Sequence, residues 1–175
     1  LQGIDEINAK EIFVLPNNSN IIMSAKQAKE MSDKVIHVIP SKSIPQGLAA
    51  MLAYDPDIDA QANVDRMTES IGNVKTGLVT YAVRDSQINS LSINKGDIIG
   101  IFNSDIVVVD KDIQNTAEIL LDKMLDEDSD IVTIYYGQDI TEDEGEKLSQ
   151  FVGDKHPDID VECYFGGQPL YYYII

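Results

Sequence analysis

Residue types that many proteins rely on are scarce in this chain, and each scarcity excludes a class of protein. Cys163 is the single cysteine, which rules out an internal disulfide and is typical of the reducing cytoplasm, where we predict the protein to act. Arg66 and Arg84 are the only arginines in a chain of 175 residues with a net charge of −17. Because phosphate binding needs clustered lysine and arginine, the composition argues against nucleic acid as a partner. No apolar run approaches the roughly 18 residues of a membrane span, so we predict no integral membrane segment.

The sequence also lacks the motifs of common nucleotide-binding and metal-dependent enzymes. Neither a GxxxxGK[ST] phosphate-binding loop nor a GxGxxG turn after a strand occurs. The two histidines, His37 and His156, lie far apart, and His37 falls in an apolar strand. That position favours a histidine satisfied in the core or at a sheet edge over a catalytic one. A zinc site formed by both histidines and Cys163 would lack any clustered ligand pair, so we predict no catalytic and no metal-binding residue in this chain.

Acidic side chains are abundant, and they concentrate in segments 122–130 and 139–146. They form either the solvated face of a soluble protein or a face that docks a basic protein partner. A third acidic group, Asp55, Asp57 and Asp59, alternates along the chain but lacks the glycine and the distant glutamate of a calcium-binding loop. We interpret it as a turn followed by the cap of the next helix.

The most informative segment is an apolar run, Ile12–Leu15, that ends in Pro16 and leads into a polar loop and a helix. In open α/β sheets, ligands and partners are met at this end of a strand. This loop has four polar side chains, those of Asn17, Asn18, Ser19 and Asn20. Either they face a ligand or partner, or they only hold the turn and cap the helix. The residues leave both alternatives open.

Two further polar loops follow predicted strands and supply the other candidate site residues. The loop after the second strand contributes Ser41, Lys42, Gln46 and Gly47. The loop near the end of the chain contributes Gly166, Gly167 and Gln168, unless it is a plain hairpin or crossover turn.

Element order predicts an α/β fold with two lobes. In the first lobe, residues 1–73, the sequence patterns predict strand 12–15, helix 20–31, strand 35–39, helix 44–54 and helix 58–71. This order is typical of parallel strands joined by helices. Residues 74–175 predict strands 75–84, 88–93, 98–102 and 106–109, helix 112–125, strand 131–136, helix 141–151 and strands 160–164 and 170–175. The close strands in the second lobe are typical of hairpins, so we expect a mixed α+β lobe there.

Three motifs, in this order, resemble the C-terminal region of the FakA family, the ATP-binding, DhaL-type (dihydroxyacetone-kinase-like) component of bacterial fatty acid kinase. The first is segment 15–20, followed by the run Ala25-Lys26-Gln27-Ala28. The second is the Ile44-Pro45-Gln46-Gly47-Leu48 run, and the third is the ending from Gly166 to Tyr171. Because the chain begins at Leu1 without methionine, we expect it to be part of a longer protein.

The resemblance implies a two-lobed architecture similar to DegV and FakB proteins, with ATP and Mg in an N-terminal domain of the parent protein and no cofactor in this chain. It implies a non-catalytic domain that docks the fatty-acid-carrying FakB protein so that a kinase domain elsewhere in the parent phosphorylates the acyl group. The remainder of FakA would be a second partner, and the parent could form a homodimer. The alternative is a DegV-like domain that itself binds a lipid or small ligand.

Overall fold

A computed structural model of the chain describes residues 1–88 and 91–175 and divides them into two compact units. Unit 1 is Leu1–Val74 and unit 2 is Lys75–Ile175. Unit 1 contains, in chain order, α1 (Gln2–Glu6), β1 (Glu11–Val14), α2 (Ser19–Glu30), β2 (Val35–Val38), α3 (Ile44–Ala53) and α4 (Ala60–Gly72). In the part of the chain that the structure describes, every helix is too short or too polar to cross a membrane.

The sheet of unit 1 consists of β1 and β2, which pair in parallel with Ile12 opposite Ile36 and Phe13 opposite His37. Both isoleucines are buried. Parallel neighbours need a crossover connection, and α2 supplies it. The parallel pairing expected from the strand–helix–strand order is confirmed.

Side-chain caps fix where the helices of unit 1 begin. Asn18, Ser43 and Asp59 are the N-cap residues of α2, α3 and α4, and each accepts a hydrogen bond from a backbone N–H of the first turn. Such caps satisfy donors that have no partner within the helix. The prediction that the aspartates at 55–59 form a turn and a cap is confirmed, because Asp59 caps α4 and the Asp55 side chain accepts a hydrogen bond from the backbone N–H of Asp57.

The core of unit 1 lies between the sheet and the pair α3–α4. Ile39, Ala50, Met67 and Ile71 form its buried cluster, with Phe13, Leu15 and Val64 packed against it. Ala50 is the buried residue of α3, and its small side chain allows α3 to lie close to its neighbours. This packing holds the start of α3 at the end of β2.

Unit 2 contains, in chain order, β3 (Gly77–Tyr81), β4 (Ser86–Ile88), β5 (Leu91–Ile93), β6 (Ile98–Phe102), β7 (Asp105–Asp110), α5 (Ile113–Met124), β8 (Ile131–Tyr136), α6 (Glu142–Lys155), β9 (Asp160–Phe165) and β10 (Tyr173–Ile174). The main sheet has the strand order β7-β6-β3-β10-β8-β9. β8 and β9 are parallel and are connected through α6, whereas the other neighbours are antiparallel. The expected mixed α+β architecture with hairpins is confirmed.

Helices α5 and α6 pack on unit 2's sheet and build its larger core. Ala117, Leu120 and Leu121 of α5 and Leu148 and Val152 of α6 are fully buried. The periodicity of α5 predicts this face. Helix α6 begins with a capping box, in which Thr141 and Glu144 exchange hydrogen bonds between side chain and backbone, and the spacing of these two residues predicts it.

The prediction of one strand at 88–93 is wrong. Asn89 and Ser90 lie outside the described residues, but the segments on either side of them, β4 and β5, pair antiparallel with each other. The apolar and polar residues of this stretch satisfy the strand pattern in either arrangement, so only the pairing distinguishes them. The predicted strands 75–84 and 170–175 are also shorter in the structure, at Gly77–Tyr81 and Tyr173–Ile174.

Candidate functional site

The two polar loops of unit 1 meet at the carboxyl edge of its sheet. Because β1 and β2 are parallel, the loops after them leave the sheet at the same edge. Ser41, which is fully buried, donates its hydroxyl to the carbonyl oxygen of Pro16 at 2.5 Å. This hydrogen bond joins the two loops, so the sequence-predicted residues at 17–20 and at 42, 46 and 47 lie at the same edge of the sheet, with Ser41 buried beneath them.

The asparagine loop, residues 17–20, contains one residue that caps α2 and three others whose side chains are exposed. Asn18 caps α2, and its Oδ1 accepts from the backbone N–H of Asn20 at 2.9 Å. Asn17, Ser19 and Asn20 are exposed. One asparagine thus holds the turn, and three polar side chains remain on the surface.

The second loop is ordered by its own hydrogen bonds. The Gln46 side-chain oxygen accepts from the backbone N–H of Lys42 at 2.8 Å, and the Gln46 backbone N–H donates to the hydroxyl of Ser43 at 3.3 Å. Gln46 is therefore a structural residue, whereas the Lys42 side chain is exposed. A Cβ at Gly47 would have no atom within 4 Å, so this glycine is not required by close packing.

The third predicted loop, Gly166–Gln168, belongs to unit 2 and follows the carboxyl end of β9. Gln168 donates its side-chain N–H to the carbonyl oxygen of Tyr135 at 2.9 Å and accepts, through its backbone oxygen, from the N–H of Gln138 at 3.2 Å. Gly167 adopts a positive φ of 66°, a conformation that glycine reaches without strain. The loop is a crossover that passes the end of β8 to reach β10, and Gln168 holds it there.

Gly137 at the end of β8 is part of the same crossover, and the sequence did not single it out. A Cβ at this position would lie 2.8 Å from the backbone oxygen of Gln168 and closer still to that of Tyr171. Both neighbours are backbone atoms that cannot swing aside. The close approach of two chain segments was invisible in the sequence because it involves residues about thirty positions apart.

His37 differs from the expectation of a satisfied histidine. It lies half-buried on β2, and its ring stacks on Phe13 of β1 with centroids 5.0 Å apart and an interplanar angle of 26°. Tyr54 meets Phe13 edge-on at 5.6 Å. The Nε2 atom of His37 is buried without a hydrogen-bond partner among the described residues, so the expectation of a satisfied histidine is wrong for this nitrogen.

The acidic segments of unit 2 carry ion pairs on the surface. Lys155 pairs with Asp122 at 2.6 Å and Lys75 with Asp126 at 2.5 Å. The hydrogen bond from Lys75 is the main reason that the pKa of Asp126 is lowered. Most of the acidic surplus has no such lysine, since the chain has 30 acidic and 13 basic side chains.

One pocket and one cysteine of unit 2 bear on ligand and thiol chemistry. Across residues 1–88 and 91–175 no three His, Cys, Asp or Glu side chains are placed to hold a metal ion. A pocket of about 260 Å³ in unit 2 has a mainly polar lining, unlike the apolar lining that holds an acyl chain. The residues that line it are Asp126, Glu127, Ser129, Lys155, His156, Pro157, Asp158 and Ile159.

Burial raises the pKa of the Cys163 thiol, which keeps it protonated and unreactive at neutral pH.

Helix α3 exposes to water a side that its apolar periodicity would place in the core. Leu48, Met51 and Leu52 form the apolar side of the predicted helix, and such a side is expected to pack inward. In the structure they are exposed, Leu52 at 87% and Met51 at 62%, and Ala50 faces the core instead. The helix is apolar on both sides, so its periodicity could not tell which side is buried.

The fold is similar to that of solved DegV-type α/β proteins. The DegV family protein Cg2579 of Corynebacterium glutamicum matches with a TM-score of 0.65 at 12% identity, over 99% of this chain and 78% of that one. The Fatty Acid Kinase (Fak) B3 protein of Streptococcus pneumoniae, solved with linoleic acid, matches with a TM-score of 0.62 at 14% identity, over 95% of this chain and 71% of that one. At these identities the likeness establishes the fold alone.

Sequence comparison defines the family within this fold class. The model of the FakA-like C-terminal family, which describes the C-terminal region of one kind of fatty acid kinase subunit, matches residues 1–175. Protein YloV of Bacillus subtilis is 45% identical over 175 residues, which are 100% of this chain and 32% of YloV. The chain belongs to the FakA-like C-terminal family. It spans about a third of the length of the curated relatives it matches.

Proposed function

We propose that this chain is a non-catalytic docking domain that binds a fatty-acid-loaded FakB-type protein. The main support for this proposal is the pair of polar loops that a hydrogen bond joins at the carboxyl edge of the unit 1 sheet. Membership of the FakA-like C-terminal family supports this function, because the family name describes one component of a fatty acid kinase. A kinase of several components needs a surface on which they meet.

The kinase chemistry belongs, on this proposal, to the rest of the parent protein. The relatives are about three times longer than this chain, which leaves room for a separate domain that holds ATP and Mg. The docked protein brings its acyl group to that domain, and the reaction takes place in the cytoplasm. A parent homodimer is compatible with this arrangement.

The loop surface suits a partner that is recognised by hydrogen bonds. Asn20 and Lys42 are exposed, and the bonds that order the loops use their backbone N–H groups rather than their side chains. Their amide and ammonium groups can therefore contact another protein without loss of the loop structure. Asn18 and Gln46 hold the loops in shape.

Calorimetry tests the proposal with the protein at its natural full length and a FakB-type protein loaded with linoleic acid. We expect binding that weakens as salt rises from 50 to 300 mM (roughly a 2.5-fold change in the screening length), since the chain's charge of −17 steers a complementary partner. The double variant N20A/K42A should weaken binding while its melting curve stays unchanged. Absence of binding at both salt concentrations would refute the proposal.

The alternative function, binding of a lipid or small ligand by this domain itself, predicts a different result. Native mass spectrometry of the purified protein would then show an additional mass that is released on denaturation. The structure of the Fak B3 protein contains linoleic acid, which is a property of Fak B3 itself. In this chain, the pocket lined by Asp126 and Lys155 is mostly polar. A copurified acyl chain would favour the alternative over docking.

A further inference from the structure

We infer that the exposed face of α3, formed by Ile44, Leu48, Met51 and Leu52, is the apolar centre of the surface that docks the FakB-type protein. This inference rests on the proposed function and adds the contact surface to it. The four side chains are 48%, 39%, 62% and 87% exposed. They recur at positions i, i+4, i+7 and i+8, which places them on one side of the helix, opposite the buried Ala50.

Helix α3 is unusual for a surface helix because it offers water no charged residue. From its N-cap Ser43 to its C-cap Tyr54 the sequence contains no Asp, Glu, Lys or Arg, in a chain that is 25% charged. A surface helix normally carries its charged residues on the side away from the core. A contiguous exposed apolar patch of this kind marks an interaction surface.

The polar loops continue this face. Lys42 comes directly before the cap of α3, and the bond from Ser41 to Pro16 places the asparagine loop beside it. Stable interfaces have an apolar centre surrounded by a polar rim, and they bury about 800 Å² on each partner. Four side chains alone provide less than this area, so the face of α3 and the loops together make up one docking surface.

Charge determines which partner fits. Unit 1, which carries α3, has 10 acidic and 6 basic side chains, so a second copy would bring a unit of the same sign of charge to the interface, and the like charges would repel. A different protein, less acidic and with an apolar patch of its own, meets no such repulsion. Within a fatty acid kinase that partner is the acyl-carrying component, and Fak B3 shows that such a component exists with linoleic acid bound.

The experiment compares L52K and M51K with the matched control V83K in the full-length protein, using calorimetry against a FakB-type protein loaded with linoleic acid. Val83 is 71% exposed and belongs to unit 2, so its substitution introduces the same lysine outside α3. L52K should raise the Kd about tenfold or more, as expected for a residue in the centre of an interface. M51K should raise it by a smaller factor, and V83K should leave it unchanged.

Melting curves and the milder variant L52S separate a binding defect from a folding defect. L52S should fold as the wild type does and still weaken binding. If the wild type binds and L52K binds equally well, the inference is wrong and the proposed function stands. If the wild type does not bind, the proposed function fails and the inference with it. If L52K instead changes the sedimentation of the protein alone, α3 contacts a second copy or another part of the parent, and the inference is overturned.

Discussion

Ser41 and Pro16 are joined by a buried hydrogen bond, in which the serine hydroxyl donates to the proline carbonyl oxygen at 2.5 Å. The bond spans 25 residues in sequence and connects the loops that follow two parallel strands. Pro16 is itself buried, so its carbonyl oxygen would have no water to replace the serine. This contact converts two separate loops into one surface.

Removal of this hydroxyl should destabilise unit 1. In S41A the carbonyl of Pro16 is left buried without its partner, which costs about 1–3 kcal/mol of unfolding free energy. Urea unfolding followed by circular dichroism measures the change. The control S24A removes the hydroxyl of an exposed serine in α2 and should leave stability unchanged within about 0.5 kcal/mol. Equal stability of S41A and the wild type would contradict the structural role.

Gly137 and Gly153 form a matched pair of glycines with opposite expectations. G137A would place a methyl group against the backbone oxygens of Gln168 and Tyr171, so it should lower stability by about 1–3 kcal/mol or prevent folding. G153A adds a methyl group in open space within α6, where alanine favours the helix, and should raise stability by up to about 1 kcal/mol. Differential scanning calorimetry of both variants tests the pair. A neutral G137A would show that the crossover can move away from β8.

Asp97 should make the stability of unit 2 depend on pH. Its carboxylate is buried and accepts hydrogen bonds from Lys111 and Asn94, and the bond from Lys111 is the main reason that the pKa of Asp97 is lowered. Because the folded pKa lies below the unfolded value of about 4, this stabilisation is complete above pH 4 and is lost as the pH falls through the folded pKa. D97N should therefore be less stable at neutral pH and lose less stability on acidification. Unfolding curves from pH 2 to 7 measure both effects.

A control variant separates Asp97 from the other carboxylates that respond to acid. Asp154 is exposed on α6, so D154N should retain the wild-type pH profile. A D97N profile that also follows the wild type would show that the contact with Lys111 contributes nothing to folding.

His37 carries a buried nitrogen without a partner among the described residues, and its replacement should be tolerated. H37F keeps an aromatic ring stacked on Phe13 and removes the unpaired Nε2, so we expect the unfolding free energy to rise by about 1 kcal/mol. Thermal unfolding at pH 7 measures the change. The control H156F alters the C-cap residue of α6 and should bring no such gain. A marked loss of stability in H37F would mean that Nε2 has a partner, such as a bound water.

Much of the fold follows from local sequence patterns. Asp59 caps α4 after the predicted aspartate turn, and Asp112 and the Thr141–Glu144 pair cap α5 and α6 at the predicted starts of these helices, because a cap depends only on residues within one turn. The parallel pairing of β1 with β2 follows from the order of elements. The asparagine loop is located correctly, but whether it contacts a partner stays a prediction.

The parts that could not be predicted depend on which segments pair or pack together in the folded chain. The hairpin of β4 with β5 fits the same strand pattern as one continuous strand, so pairing alone decides it. The bond from Ser41 to Pro16 and the close approach at Gly137 involve residues that meet only in the folded chain. No local rule contains that information.

The sequence by itself determined most of the helices and strands, the strong acidic charge and the lack of charge along α3. The tertiary structure alone decided which side of α3 faces water. Because α3 is apolar all round, both orientations satisfy the periodicity, and the contacts of the small Ala50 with Ile39, Met67 and Ile71 decide which side is buried. The larger side chains, Met51 and Leu52, are left on the surface. The docking face that we infer thus follows from core packing.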